Sequence, residues 1–419
     1  MTDWPAPLAD RPLDAEVTIP GSKSLTNRVL VLAALGEDES CVSQPLVSRD
    51  TELMAAALES LGARIVRDGD IWRIRPIDFG DAPVEVDCGL AGTVMRFVPP
   101  IAALGRAPVT FDGDPRARER PMSGTIDGLR ALGAEVDDDG RGTLPFTVRP
   151  PDIAGGDIEI DSSASSQFVS ALLLVGARFR EGLRLRHTGA TLPSQPHIDM
   201  TVTQLRERGV HVDTEPGTWT VHPGPIAGED VAIEPDLSNA GPFVAAALVT
   251  GGSVRIRHWP ESTDQAGDAW PWIADAFGAS THRDGDALVV TGGPSLRAVD
   301  LDLHDVGELT PVVAALAALA DDTSTIRGVA HLRGHETDRL AALAAEINGL
   351  GGEVVETDDG LRITPRPLHG GVFGTYHDHR LAHAAAVLGL AVPGVVIENV
   401  ETTAKTYPGF AEDWSELCR

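Results

Sequence analysis

The stretch GSKSLTNR, residues 21–28, has the side chains of an anion-binding turn. It lies between a strand-like segment at 15–20 and the apolar helical pattern of 29–35. A helix start offers unpaired backbone N–H groups and the positive end of the helix dipole, and this one adds hydroxyl donors and two cations. Lys23 is one of two lysines in the chain, the other being Lys405. These features predict capture of an anion, with ordinary helix capping as the alternative.

Two motifs in the second half of the chain combine acidic, basic and histidine side chains at helix starts. HETDRL places Glu336 and Arg339 three residues apart on one helix face, where a surface ion pair is the alternative to an active site. HDHRLAH places His379 and His383 four residues apart, and with Asp378 this spacing is compatible with a metal site. The arginine between the two histidines would oppose a cation, so we predict no bound metal.

One supersecondary pattern recurs five times: an amphipathic helix, a glycine, a strand, an Asp/Gly turn and a second strand. The glycines that end these helices are Gly62, Gly133, Gly209, Gly278 and Gly351. Glycine suits the left-handed position that follows a helix. The alternating residues after each glycine are typical of a β-hairpin.

A second kind of helix, apolar nearly all round, lies between these hairpins. Its six copies begin at Ser24, Gly92, Ser165, Ser238, Glu308 and His379. Such helices are buried, and their polar first turns would together form an anion-attracting face in each domain. The sixth repeat lacks its hairpin, and a strand at 13–20 is expected to fill the gap. We predict an α/β protein with domains at 21–230 and 231–419, the second completed by residues 1–20; accidental similarity within an ordinary α/β array is the alternative.

Charge and composition exclude several classes of partner. The 34 basic and 62 acidic side chains give a net charge of −28, which repels nucleic acids and anionic membranes. Three cysteines in no metal or disulfide spacing fit a reducing cytoplasm. The first ten residues lack the pattern of a secretory signal, and the apolar run at 312–320 is too short to span a membrane.

Seven motifs occur in an order that resembles the 5-enolpyruvylshikimate-3-phosphate (EPSP) synthase family. They are GSKSLTNR, AGTVMR, ERPMSG, SASSQF, HETDRL, HDHRLAH and TAKTYPGF. The resemblance covers nearly the whole chain and implies a two-domain inside-out α/β barrel of six repeats. It implies transfer of the enolpyruvyl group of phosphoenolpyruvate to the 5-hydroxyl of shikimate 3-phosphate, with release of phosphate. It implies no cofactor and no metal, and we expect a cytoplasmic monomer whose domains close around the substrates.

The resemblance also implies the site residues. The catalytic residues would be Lys23, Glu308 and Glu336, with Glu308 as the base near the 5-hydroxyl and Glu336 handling the methylene proton. Shikimate 3-phosphate would contact Lys23, Ser24, Arg28, Ser165, Ser166, Gln167, Ser194, Glu308, His331 and His335. Phosphoenolpyruvate would contact Lys23, Gly92, Thr93, Arg120, Gln167, Arg339, Arg380 and Lys405. The serine run of SASSQF taken alone would be read as a helix cap.

The sequence departs from the common family pattern at five positions. Leu90 stands where asparagine is frequent and removes an amide donor, and Phe97 stands where proline is frequent. His331 replaces a common asparagine and His335 a common lysine, so the charge there depends on pH. Glu308 replaces the family aspartate and reaches one methylene further.

Two other functions compete with this interpretation. The sister enzyme that uses UDP-N-acetylglucosamine as acceptor has Lys-Asn after the first strand and a reactive cysteine near Arg120. This chain has Lys23-Ser24, and residues 113–124 contain no cysteine. A catalytically inactive repeat protein that binds a phosphorylated metabolite would be favoured by loss of Lys23, Glu336 or Lys405, and all three are present.

Overall fold

The computed structural model describes residues 3–150 and 153–419. The α-helices are α1 (Lys23–Leu35), α2 (Arg49–Ser60), α3 (Gly92–Ala102), α4 (Ser123–Ala131), α5 (Gln167–Gly176), α6 (Gln195–Glu207), α7 (Gly241–Thr250), α8 (Trp270–Ala276), α9 (Thr310–Ala318), α10 (Arg339–Gly349), α11 (His379–Gly389) and α12 (Phe410–Leu417). Short 3-10 helices occur at Ala117–Glu119, Ala266–Ala269, His304–Leu309, Ala330–Gly334 and Val400–Lys405.

The strands of the first half are β1 (Trp4–Pro5), β2 (Asp14–Val17), β3 (Ser40–Ser43), β4 (Arg64–Asp68), β5 (Ile71–Arg75), β6 (Val84–Asp87), β7 (Val109–Asp112), β8 (Glu135–Asp137), β9 (Phe146–Arg149), β10 (Gly156–Ile160), β11 (Leu183–His187), β12 (Val212–Glu215) and β13 (Thr218–Val221). The later strands are β14 (Val231–Ala232), β15 (Ser253–Ile256), β16 (Ser280–Asp284), β17 (Ala287–Thr291), β18 (Asp300–Asp302), β19 (Ser324–Arg327), β20 (Glu353–Glu356), β21 (Leu361–Thr364), β22 (Gly371–Phe373) and β23 (Val395–Ile397).

The chain divides into two compact units, each with its own hydrophobic core. The first unit is Gly21–Ile233. The second unit joins the N-terminal residues up to Pro20 to Glu234–Arg419. Leu13 and Ile19 belong to the core of the second unit, so the N-terminal segment is packed into it.

One sheet design is repeated through both units. The first unit has four-stranded sheets in the orders β14-β3-β5-β4, β6-β7-β9-β8 and β10-β11-β13-β12. In each, the first two strands are parallel and the last two form an antiparallel hairpin. The glycines expected after the helices have left-handed backbone angles, with φ from 78° at Gly209 to 111° at Gly62. The prediction of glycine-terminated helices followed by hairpins is therefore confirmed.

The second unit repeats the design in two sheets and shortens it in the third. Its four-stranded sheets have the orders β16-β17-β15-β2 and β18-β19-β21-β20, and its third sheet is β1-β23-β22. The strand expected in the sixth repeat is β2, but it pairs in parallel with β15. The sixth repeat pairs with β1 instead, through Trp4 and Pro5. The placement of this strand in the sixth repeat was wrong, because all four residues of β2 are paired with β15 and none is left to pair with β23.

The helices expected at the centre of each unit are buried. Every residue of α3, α9 and α11 is buried, including the polar residues of their first turns. In the first unit α3 packs against α5 and α1, and in the second α11 packs against α9 and α7. The α/β prediction with central helices is confirmed. No helix in residues 3–150 and 153–419 is long and apolar enough to cross a bilayer.

Candidate active site

The GSKS turn begins a helix as expected, and its lysine has an acidic neighbour. Ser22 caps α1, since its hydroxyl accepts a hydrogen bond from the Leu25 N–H at 3.3 Å. The Lys23 ammonium lies 3.4 Å from the Asp50 carboxylate. The Lys23 side chain is 17% exposed to solvent, whereas that of Asp50 is 3% exposed. Asp50 therefore orients a cation that solvent still reaches, and the sequence motifs did not single it out.

Arg28 is a buried connector between helices. Its Nε donates to Thr201 Oγ1 at 2.7 Å, and its terminal nitrogens donate to the Ser170 hydroxyl and the His197 carbonyl at 3.3 and 2.8 Å. A further bond reaches the Ser24 carbonyl at 3.0 Å. These contacts join α1 to α5 and α6.

Two guanidinium groups lie against Gly92 at the start of α3. A Cβ atom at this position would lie 2.9 Å from an Arg96 nitrogen and 3.0 Å from both terminal nitrogens of Arg120. Arg96 donates to the Gly92 carbonyl at 3.2 Å and to Gln167 Oε1 at 3.3 Å. Arg120 donates to the Leu90 carbonyl at 3.3 Å. The Leu90 carbonyl thus holds Arg120 in place, although the Leu90 side chain lacks the amide of the asparagine that is frequent in the family.

The charge of this arginine pair is uncompensated on the Arg96 side. Arg96 is 2% exposed, and no carboxylate of residues 3–150 or 153–419 contacts it. Burial, and then the charge of Arg120, lowers the pKa of Arg96 well below its usual value. Buried like charges repel unless an anion lies between them. An anion between the two guanidinium groups would relieve this repulsion, and Arg96 is a residue that sequence reasoning missed, four residues after Gly92 in AGTVMR.

The serines of SASSQF and LPSQPH differ in whether they bond the first turn of a helix. Ser166 precedes α5 and Ser194 precedes α6, and neither hydroxyl caps its helix. Ser194 has φ 56° and ψ 49°, a left-handed conformation that costs a non-glycine residue about 1–3 kcal/mol. Ser165 instead accepts a bond from the Gln167 N–H at 3.3 Å. The capping alternative given for SASSQF therefore fails for Ser166, whereas Ser165 does bond the first N–H of α5.

Thr93 completes the first-unit cluster, which consists of residues at the starts of α1, α3, α5 and α6 together with Arg120 and Asp50, which contact them. Its hydroxyl accepts a hydrogen bond from Asn27 Nδ2 at 2.7 Å, which ties the start of α3 to α1. The predicted members of this cluster are Lys23, Ser24, Arg28, Gly92, Thr93, Arg120, Ser165, Ser166, Gln167 and Ser194. Asn27, Asp50 and Arg96 are the members added by the structure.

In the second unit, Glu336 lies between a lysine and a histidine. Its Oε1 accepts from Lys405 Nζ at 2.7 Å and its Oε2 from His379 Nδ1 at 3.2 Å. Burial by itself raises the pKa of Glu336, but the charge of Lys405, followed by His379 and Arg339, holds it well below its ordinary value. Burial lowers the pKa of His379 to about 4. At neutral pH the Glu336 carboxyl is therefore ionised and the His379 imidazole is neutral.

Arg339 and Arg380 are held by different partners. Arg339 makes a two-point pair with buried Asp378, with Nε–Oδ2 and NH2–Oδ1 distances of 2.8 and 3.1 Å. Asp378 also caps α11 by accepting from the Arg380 N–H at 2.9 Å. The Arg380 side chain donates to Asn239 Oδ1 at 3.3 Å. A bidentate pair of this kind fixes the plane of the Arg339 guanidinium.

The metal site considered for HDHRLAH, with two histidines and Asp378, does not form; Asp378 and His379 group with Glu336 instead. Glu336, Asp378 and His379 bring one possible ligand atom each within 4.8 Å of one another. Both carboxylates are already paired, with Lys405 and Arg339. His383 lies against the Phe410 ring, with centroids 4.6 Å apart, outside this group. These ion pairs account for the cluster without a cation, and the absence of a metal stays a prediction.

Glu308 and the two substituted histidines lie near this network. Glu308 Oε1 accepts from the Ser238 hydroxyl at 2.9 Å. The His331 and His335 rings are 5.8 Å apart, and His335 Nδ1 lies 3.2 Å from an Arg339 nitrogen. Burial, and then His304, lowers the pKa of His331 to about 4. His331 is therefore neutral at pH 7.

The second-unit cluster thus gathers all the residues that were expected there: Glu308, His331, His335, Glu336, Arg339, Arg380 and Lys405. The structure adds Ser238 and Asn239 as their partners, and it pairs Asp378 and His379 of HDHRLAH with Arg339 and Glu336. Asn239 could have been found from SNAGPF, because an amide at a buried helix start is an unusual choice unless it holds a polar partner.

Comparison with known proteins identifies the family. The model of EPSP synthase (3-phosphoshikimate 1-carboxyvinyltransferase) matches residues 9–414. The 3-phosphoshikimate 1-carboxyvinyltransferase of Kocuria rhizophila is 55% identical over 428 positions, which cover 99% of this chain and 96% of the relative.

Solved structures agree on the fold. EPSP synthase from Acinetobacter baumannii superposes with a TM-score of 0.80 at 23% identity, covering 99% of this chain and 97% of that one. The enolpyruvyl transferase NikO from Streptomyces tendae gives 0.77 at 19% identity, covering 98% and 96%. At these identities the likeness concerns the fold alone, the inside-out α/β barrel. The family match and the Kocuria relative go further, and the chain belongs to the EPSP synthase family.

Proposed function

We propose that this chain transfers the enolpyruvyl group of phosphoenolpyruvate to the 5-hydroxyl of shikimate 3-phosphate and releases phosphate, as a step of the shikimate pathway. The observation that carries the proposal is the buried Glu336 carboxylate held by Lys405 and His379, in a chain of this family. A protein that only bound anions would gain nothing from a buried carboxylate, which repels them.

The first-unit cluster supplies the cations and donors for the substrates. Arg120 and Arg96 bind the carboxylate or phosphate of phosphoenolpyruvate, since Gly92 lets both guanidinium groups approach the backbone. Lys23 binds phosphate from the start of α1, where the helix dipole adds to its charge. The hydroxyls of Ser166 and Ser194, which do not cap their helices, hydrogen-bond shikimate 3-phosphate. Arg28 positions three of these helix starts through its buried contacts.

The reaction proceeds by addition of the hydroxyl group followed by elimination of phosphate. The 5-hydroxyl oxygen bonds to the enol carbon as its proton passes to a base, and the methylene carbon takes up a proton to become a methyl group. The tetrahedral intermediate then loses phosphate as the methyl group returns a proton. Glu308 is the base at the hydroxyl, with its carboxylate oriented by Ser238. Glu336 handles the proton of the methylene carbon.

The Lys405 contact explains how a carboxylate of such low pKa can donate a proton. Lys405 is the largest lowering influence on the pKa of Glu336. A phosphate or carboxylate of the substrate that attracts Lys405 would weaken the 2.7 Å contact with Glu336. The pKa of Glu336 then rises towards its ordinary value or above it, because burial raises it. Substrate binding thus converts Glu336 from a pure base into an acid–base group.

The deciding experiment measures phosphate release from phosphoenolpyruvate with each candidate acceptor. We expect turnover with shikimate 3-phosphate and none with UDP-N-acetylglucosamine. Turnover only with the sugar nucleotide would assign the chain to the sister activity. Binding of shikimate 3-phosphate without phosphate release from any acceptor would instead support the inactive binding protein.

Three properties of the whole molecule belong to this proposal. We place the enzyme in the cytoplasm, because Cys41, Cys88 and Cys418 form no disulfide. We expect a monomer, which sedimentation equilibrium tests. Domain closure stays a prediction from the sequence. It fails if small-angle scattering detects no compaction when shikimate 3-phosphate and an unreactive phosphoenolpyruvate analogue are both added.

A further inference from the structure

A group of two histidines and an aspartate lies on the outer hairpin of the first unit, apart from both clusters. His211 directly precedes β12 and His222 directly follows β13. The His222 N–H donates to the His211 carbonyl at 3.0 Å, which extends the hairpin ladder by one pair. Asp213 follows His211 by two residues, so the two side chains share one strand face. Their neighbours Val212 and Val221 are buried, and the histidines and the aspartate therefore face outward.

The possible ligand atoms of the three side chains converge. His211 Nε2 lies 3.3 Å from Asp213 Oδ1, and His222 Nε2 lies 2.8 Å from Asp213 Oδ2. The two imidazole rings have centroids 4.5 Å apart. One atom from each residue falls within 4.8 Å of the others. Ligands at about 2.0–2.2 Å from a tetrahedral metal are separated by about 3.4 Å, so small side-chain rotations complete three corners of a tetrahedron.

The donor set selects one class of ion. Two imidazole nitrogens and a carboxylate oxygen suit Zn²⁺ and its first-row neighbours. Mg²⁺ and Ca²⁺ prefer oxygen-only sites. We propose that His211, Asp213 and His222 bind a divalent transition-metal ion of the zinc class, leaving one position for water or for a group of another molecule.

Some charges around the three side chains favour a bound cation and others oppose it. Arg206 opposes a cation, but its guanidinium is turned to the Val212 carbonyl at 2.7 Å. The chain carries a net charge of −28, which favours cations at the surface as a whole.

The chain offers a matched control in its other unit. His258 Nδ1 lies 2.8 Å from Asp286 Oδ2, and both side chains are about half exposed. This pair reproduces the His222–Asp213 contact without a second histidine. A surface histidine that merely attracts Zn²⁺ would behave alike at both places, whereas, of these two places, only the hairpin offers a third ligand among the described residues.

Calorimetric titration of the full chain with Zn²⁺ near pH 7.5 tests the site. We expect binding in the micromolar range that H211N, D213N and H222N each weaken at least about tenfold, while H258N leaves it unchanged. Acidification should release the ion, because imidazole must be deprotonated to bind it. Phosphate release in metal-free buffer should be normal in H222N, which shows that the variant is folded.

Histidine NMR of the wild-type chain makes the test independent of variants. On addition of Zn²⁺, the imidazole signals of His211 and His222 should shift together, and that of His258 should not. The proposal is overturned if wild-type binding is weaker than millimolar, if H211N and H222N bind as tightly as wild type, or if H258N weakens binding by the same factor.

Discussion

Gly92 controls the approach of both arginines to the start of α3, so replacing it with alanine should damage one substrate site selectively. The new Cβ would lie 2.9 Å from an Arg96 nitrogen and 3.0 Å from both terminal nitrogens of Arg120. Since heavy atoms in good contact lie about 3.5–4.0 Å apart, each guanidinium must withdraw by about 0.5 Å. The displaced atoms are the ends of flexible side chains, and the fold itself should tolerate the change.

The substitution should weaken the binding of phosphoenolpyruvate. Hydrogen bonds to charged groups contribute about 1.5–3 kcal/mol each, and losing the equivalent of one raises KM about 10–100-fold. We therefore expect Gly92→Ala to raise KM for phosphoenolpyruvate by that factor while kcat changes little, because the lost contact binds substrate and transition state alike. Phosphate release at saturating shikimate 3-phosphate, with phosphoenolpyruvate varied, measures both constants.

A matched variant separates this effect from the general effect of an added methyl group. Gly80→Ala places its Cβ where no other atom lies within 4 Å, and it should leave both KM values unchanged. The reasoning is refuted if KM for phosphoenolpyruvate in Gly92→Ala stays within about twofold of wild type. A rise of KM for shikimate 3-phosphate by the same factor would refute it equally, because the arginine pair would then serve both substrates.

Three other variants probe the second unit. Glu336→Gln should bind shikimate 3-phosphate by calorimetry as wild type does but lose about 10²–10⁴-fold in kcat; near-normal turnover would remove Glu336 from the mechanism. Asp378→Asn should lower the free energy of unfolding in urea by about 3 kcal/mol, since Arg339 would be left buried without its counter-charge; a loss under about 1 kcal/mol would contradict the pairing. The pKa of His331 is about 4 in the folded chain, below the ordinary value, so the unfolded chain binds the proton more tightly and stability falls as pH drops from about 6.5 towards 4. His331→Asn should make this fall shallower, by up to about 3 kcal/mol at pH 4, and parallel unfolding profiles for the two proteins would show that His331 does not contribute.

Local patterns accounted for most of the architecture. The glycines at Gly62, Gly133, Gly209, Gly278 and Gly351 have the left-handed backbone expected of them, because that conformation depends on a few neighbouring residues. The all-apolar segments form buried helices, because a helix without a polar face is stable only when the rest of the protein covers it on all sides. The partner of β2 was beyond such patterns. A strand of four residues carries no information on which of several similar edges it joins.

The same division holds for the candidate site. Sequence motifs singled out Lys23, Glu336, Arg339 and Lys405, since rare lysines and charged residues close to a helix are visible in the chain itself. They did not reveal that Arg28 is enclosed by α5 and α6.

By itself, then, the sequence determined the repeat, the buried helices, the family and the positions that carry charge. The tertiary structure decided which of those charges are paired. Arg339 is neutralised by Asp378, 39 residues away, whereas no carboxylate in the described part of the chain contacts Arg96. Glu336 takes its two partners from 43 and 69 residues along the chain. Pairing over such separations depends on how helices from different repeats pack, and the pKa of each group follows from that packing. The GSKS lysine is a cation in the sequence, and in the folded unit it becomes an oriented cation, because Asp50 lies beside it.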